Sequence, residues 1–112
     1  MSMLEELHAI VVSAGFPVET GVFSGTAPDE YVVITPISEH FALFSDDGPG
    51  MNIEEARLSL YSKKNYTQKK DLLVRMLLTA GFTVSDRRYI GHEADTGYHH
   101  YSIDIMHERE EI

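Results

Sequence analysis

The chain contains no cysteine. That absence excludes a disulfide, a thiolate metal site and a cysteine nucleophile, and it fits folding inside a cell. Basic residues are scarce as well: nine Lys and Arg stand against eighteen Asp and Glu, for a net charge of −9. A general nucleic-acid or anionic-membrane binder needs a basic surface, so both classes are disfavoured. The balance suits a protein that lets polyanions pass without holding them. No apolar run approaches membrane-spanning length, and no membrane partner is expected. A signal peptide begins basic and has a longer apolar stretch, whereas Glu5 and Glu6 here precede a short apolar run at 9–12. Catalytic fingerprints are missing too: there is no HExxH, no Gly-x-Ser-x-Gly, no phosphate-cradling loop and no dinucleotide pattern. The residues therefore predict neither an enzyme nor a cofactor.

What is present is an ordinary globular composition, 43% hydrophobic and 24% charged over 112 residues, enough for one domain spanning 1–112 with one real core. Its strongest element is TQKKDLLVRMLLTAG at 67–81. Leu72, Leu73, Met76, Leu77 and Ala80 share a helical face, and Val74 and Leu78 widen it until only Arg75 and Thr79 interrupt. So apolar a helix is expected to be covered on most sides, by a sheet. Thr67 is the expected N-cap and Gly81 the left-handed stop. A first helix is read over 2–14, with Met3 or Leu4, Leu7, Ile10, Val11 and Ala14 on one face and Gly15 ending it.

Strands are expected at 18–23, 30–37, 54–62, 82–90 and 97–107, with 40–44 continuing the second after a bend and Pro36 at a bulge or edge. In ARLSLYS, Ala56, Leu58 and Leu60 alternate with Arg57, Ser59 and Tyr61; near the C-terminus His99, Tyr101, Ile103 and Ile105 alternate with His100, Ser102, Asp104 and Met106. Residues 38–52 are expected to be a flexible hairpin or loop, and 108–112 a frayed tail. The order α-β-β-β-α-β-β predicts an α+β fold, a mainly antiparallel sheet with two helices packed against it. An internal echo runs through it: LHAIVVSAGFPV and LVRMLLTAGFTV share an apolar helix followed by Ala-Gly-Phe-x-Val. A two-fold plan and the ordinary likeness of helix–Gly–strand junctions both account for it at this stage.

Candidate functional residues are few. His92, His99, His100 and His107 crowd the last third beside Glu93, Asp95 and Glu108. His99 and His107 lie eight residues apart on one strand, roughly 26 Å at about 3.3 Å per residue, too far to share an ion. No metal is expected; His99 and His107 are read as solvated or subunit-interface residues, and at an interface their protonation near pH 6 would loosen it. Asp46, Asp47, Glu54 and Glu55 flank a Gly-Pro-Gly turn whose spacing fails the calcium-loop pattern, and they mark an acidic hairpin tip. Lys63, Lys64, Lys69 and Lys70 hold four of the nine basic residues just before the central helix. Positive charge there opposes the helix dipole, so an acidic partner surface is one reading and a solvated loop the other.

ARLSLYSKK, then an apolar helix, then a strand ending Tyr89-Ile90, then Glu93 and the alternating run from Tyr98 to Ile105, resembles small tail-completion proteins of long-tailed phages and prophages, the tail terminator or head–tail joining proteins. Tyr31 to Ile34 matches the family's early strand. The resemblance covers roughly residues 16–107 and is best after residue 53; Ser62 stands where Thr is commoner, and 38–52 is hard to match. It implies a structural subunit forming a ring, typically a hexamer, that caps the tail tube and docks to the head connector, with DNA at most passing through the lumen. It implies a place in the virion, assembled in the bacterial host cytoplasm. Residues 38–52 with Asp46 and Asp47 become the candidate docking loop, and Lys63, Lys64, Lys69 and Lys70 a candidate interface patch, with His99 and His107 as further interface candidates. Two alternatives stand beside it: a dimeric ligand-binding or regulatory module resembling an ACT domain, motivated by the helix–strand echo, and a metal-dependent enzyme using the late histidines.

Overall fold

Two helices start and stop where their end residues can satisfy free backbone groups. The computed structural model describes residues 2–20, 27–45 and 48–110, with side chains other than those of 42–45, 48–49 and 109–110. Helix α1 is Met3–Ser13. Ser2 caps it: its Oγ accepts from the Glu5 amide at 3.2 Å and donates to the Glu5 carboxylate at 3.1 Å. Helix α2 is Thr67–Thr79, and its N-cap is Tyr66 rather than the expected Thr67. The reason is local: the short Asn65 side chain accepts from the Thr67 amide at 3.2 Å, which places Thr67 inside the first turn.

Both helices end in the same way. Gly15 and Gly81 take φ of 99° and 93°. In each case the following Phe amide returns to the carbonyl five residues back, Phe16 to Val11 at 3.2 Å and Phe82 to Leu77 at 3.1 Å. The glycine amides close the inner bond to Val12 and Leu78. This is the Schellman stop, and the Phe that follows each glycine is buried in the core.

The strands are β1 Val18–Thr20, β2 Glu30–Ser45, β3 Gly48–Ser62, β4 Thr83–His92 and β5 His99–Glu110. They form a five-stranded sheet in the order β1-β2-β3-β5-β4. Only the β1–β2 pair is parallel; the other three pairs are antiparallel. The chain is thus an α+β fold of order α-β-β-β-α-β-β. The echo noted in the sequence resolves here. The two helix–Gly–Phe junctions match, but they lead into opposite edges of the sheet, β1 parallel to its neighbour and β4 antiparallel. The likeness belongs to the junction.

One face of the sheet carries the core. Val32 and Ile34 of β2, Ala56, Leu58 and Leu60 of β3, and Ile103 and Ile105 of β5 are buried under Leu7 and Val11 of α1 and Leu73, Val74 and Leu77 of α2. A fully buried leucine contributes roughly 1.5–3 kcal/mol. The covering is less complete than the apolar helix suggested. Leu72 and Leu78 stay 38% and 54% exposed, because the helices lie on one side of the sheet and nothing described lies over them.

Beyond Glu39 and Glu54, which still share a cleft with Met3 and Leu4 of α1, no helix is described over the sheet. A bulge between Pro36 and Ser38 bends β2, and pairing then continues from Ser38–Glu55 to Ser45–Gly48. Residues 38–45 and 48–52, expected as a hairpin or loop, are a hairpin of paired strands. β5 also joins: residues 108–110, expected as a frayed tail, pair with 51–53. The result is a three-stranded arm. The molecule measures 55 × 24 × 23 Å with a radius of gyration of 15.4 Å, above the about 13 Å of a compact chain this long.

The buried and exposed leucines of α2 give a direct test. Leu73→Ala should cost about 2–5 kcal/mol in urea denaturation, and Leu78→Ala about 0.5 kcal/mol or less. Equal losses would contradict a helix layer covered on one side.

Candidate functional site

The candidate lysines gather at the end of the sheet opposite the arm, where β3 hands over to α2. Glu30 opens β2 there and is only 7% exposed. Its carboxylate accepts from Ser62 Oγ at 2.8 Å and from Lys69 Nζ. Burial pushes its pKa up, but the hydrogen bonds from Lys69 and Ser62 and the charges of Lys69 and Lys64 outweigh burial and hold it below the usual value. Lys69 also lies 4.8 Å from the centre of the Phe16 ring. Lys70 pairs with Asp71 at 3.2 Å and sits over Tyr101. Lys63 sits over Tyr98 at 4.8 Å, with Asp29 at 3.9 Å. Lys64 is exposed; its amide donates to Ser62 Oγ at 3.0 Å. Much of the counter-charge that the sequence assigned to a partner thus comes from within the chain.

On the helix-free face, Tyr31, Tyr61 and His100 form one row across β2, β3 and β5. Tyr31 and Tyr61 stack at 5.0 Å, and Tyr61 and His100 at 4.3 Å. Tyr98 meets both tyrosines edge-on and its hydroxyl donates to the Pro28 carbonyl at 2.6 Å. Burial raises the Tyr31 and Tyr61 pKa values, and burial lowers that of His100 against the pull of Glu93. Further along the same face Arg57 grips Asp104 through two hydrogen bonds of 2.8 and 3.2 Å.

The late histidines separate as the strand spacing required. His99 packs on His92 at 4.5 Å, with its Nδ1 2.8 Å from the Tyr89 hydroxyl, at one end of β5. His107 lies near the other end beside Phe82. Among the described residues no three His, Asp or Glu side chains are placed to hold a metal ion. The clefts found there are open, and no helix is long and apolar enough to cross a membrane. Asp46 and Asp47 lie outside the described residues.

Two features escaped the sequence reading. Glu30 as the anion under the lysines is 39 residues from Lys69, and no local pattern links them. Arg75 on α2 and Arg87 on β4 both line one groove with Val74 and Asp71. Both are exposed, and among the described residues neither has a carboxylate within ion-pair distance. Their spacing from the helix and strand predictions was available; their shared flank needed the β4–β5 pairing.

No protein-family model matches the sequence, and comparison with curated proteins gives no match. Among solved structures, a chain from the virion of a native gene transfer agent particle matches with a TM-score of 0.57 at 14% identity, covering 94% of this chain and 84% of that one. At that identity the two share a fold.

The Glu30 junction predicts an acid dependence. Because its pKa is lowered on folding, Glu30 stabilises the fold fully above the ordinary glutamate range, and loses that contribution as pH falls through the lowered folded value. Glu30→Gln should cost about 1–3 kcal/mol at pH 7. The gap from wild type should close as urea titrations are moved into the acid range; a gap that stays constant with pH would contradict this.

Proposed function

We propose that the chain is a structural subunit of a phage-type virion, acting without catalysis as a tail terminator or head–tail joining protein. The observation that carries this is the shared fold with a chain of the gene transfer agent virion over 94% of the present sequence. The resemblance of 54–105 to tail-completion proteins supports the finer role. So does the elongated shape, a helix-covered body with a projecting arm, which suits contacts between neighbours in a ring. In this reading a ring, typically a hexamer, caps the tail tube and faces the head connector. A net charge of −9 lets DNA pass the lumen without adhering. The subunit assembles in the host cytoplasm and ends in the virion.

A dimeric ligand-binding module gains no support from the internal echo, since the two junctions feed strands of different direction. Light scattering across a concentration series, with negative-stain imaging, tests the proposal. Rings that cap one end of added tail tubes are the expected result. A stable dimer that binds no tube and shifts its melting temperature with a small molecule would overturn it.

A further inference from the structure

The sheet ends in two free edges. β1 and β4 are its outer strands, and among the described residues no strand pairs with the far side of either. A free edge is a row of amides and carbonyls that another strand can join. The register fixes which residues of the two edges stand at the same height. One row runs Glu19–Val33–Ser59–Ser102–Arg88 across all five strands. The rows on either side of it run from Val18 to Tyr89 and from Thr20 to Arg87.

Side chains on these rows are complementary. Glu19 and Arg88 lie on the helix-free face, and Val18, Thr20, Arg87 and Tyr89 on the helix face. Glu19 has no ion pair among the described residues. Arg88 pairs with Asp86 at 3.4 Å, both exposed, and its guanidinium has donors to spare. Tyr89 is 50% exposed, opposite the height of apolar Val18. The surroundings carry the same signs. α1 packs on β1, and residues 2–20 hold Glu5, Glu6 and Glu19 with no Lys or Arg. α2 packs on β4, and residues 67–92 hold five of the nine Lys and Arg against Asp71 and Asp86.

Backbone polarity matches as well. The Val32 amide donates to the Pro17 carbonyl at 2.9 Å, so Val32 turns its backbone groups to β1. Ladder alternation then turns Val33 to β3, Leu60 to β5, Ser102 to β4 and Arg88 to β5. The Lys63 amide bond to Asp29 and the Glu93 amide bond to Tyr98 keep this alternation. Val18 and Thr20 on β1, and Arg87 and Tyr89 on β4, are left with outward amides and carbonyls. Bulges on either side frame that regular run of β4. Direction agrees too: β1 is parallel to β2, and three antiparallel pairings separate β2 from β4, so β4 runs opposite to β1.

We propose that β4 of one copy pairs edge to edge with β1 of the next, with Tyr89 opposite Val18, Arg88 opposite Glu19 and Arg87 opposite Thr20. Rotation about an axis along the strands brings these edges together antiparallel with the same face inward, and a closed ring has no rise, so equal rows meet. The partner is a second copy of this chain, because each edge is the complement of the other in charge, backbone polarity and direction. The two edges differ, so the contact is head-to-tail and closes a ring instead of a two-fold dimer. This inference rests on the ring reading above and specifies its contact.

Sedimentation velocity is run on wild type, Glu19→Arg, Arg88→Glu and the double variant Glu19→Arg/Arg88→Glu, each first checked for fold by circular dichroism. Each single variant sets like charges opposite one another and should associate at least about tenfold more weakly than wild type. The double variant exchanges the charges and should regain association. Facing residues of a non-hydrogen-bonded antiparallel pair lie about 4.5 Å apart at Cα, within disulfide reach. On this cysteine-free chain, oxidised Glu19→Cys/Arg88→Cys should therefore give covalent multimers, and either single cysteine variant nothing larger than a dimer. Single charge variants that assemble like wild type, a double variant that fails to recover, or a cysteine pair that gives no multimers would overturn the pairing while leaving the ring reading in place. Wild type that stays monomeric at every concentration, with and without tail tubes, would overturn both.

Discussion

A mismatch of lengths governs this molecule. Helices of 11 and 13 residues span roughly 16 and 20 Å at 1.5 Å per residue. The central strands have 16 and 15 residues and reach about 50 Å. Two such helices can cover less than half of those strands. Where they cover, the sheet has a dry core ending at Ile34, Ala56 and Ile105. Past that line no described hydrophobic side chain of the arm is buried. An extended strand pair needs a third surface to be stable by itself, and here β5 supplies only a third strand. The described part of the arm therefore has no apolar core of its own.

Charge follows the same division. At the end away from the arm, cations and anions are matched internally: Lys69 with Glu30, Lys70 with Asp71, and lysine ammoniums over Phe16, Tyr98 and Tyr101. That end is finished chemistry, tied together by the tyrosine row and the Tyr98–Pro28 bond. The α2–β4 flank keeps Arg75 and Arg87 exposed, with no carboxylate within ion-pair distance among the described residues.

Much of this was legible in the sequence. Strict alternation in ARLSLYS and in the run before His107 placed the two central antiparallel strands with their faces correct, and Gly15 and Gly81 marked both helix ends. The hairpin at 38–52 was legible; the extent of its pairing was not, for a physical reason. The bulge at Pro36–Ser38 shifts the alternation by one residue, and Gly48, Pro49 and Gly50 carry turn chemistry although they are strand. Nor does periodicity say how much of an apolar helix is covered: Leu73 and Leu78 read alike, and only the one-sided packing separates them. The insertion of β5 between β3 and β4 is a long-range choice that brought Arg87 beside α2. The Glu30–Lys69 pair escaped for the same reason.

The central claim is that β3 has two parts, one held by the subunit's own core and one that lies beyond that core and that the proposed ring would hold. Amide hydrogen exchange resolved along β3, in the free subunit and in the proposed ring, tests it most directly. The amides of Leu58 and Leu60 should be slow in both states. Those of residues 50–54 should exchange far faster in the free subunit and slow sharply on assembly. Arm amides as protected as Leu58 in the free subunit, or unchanged by assembly, would contradict the account.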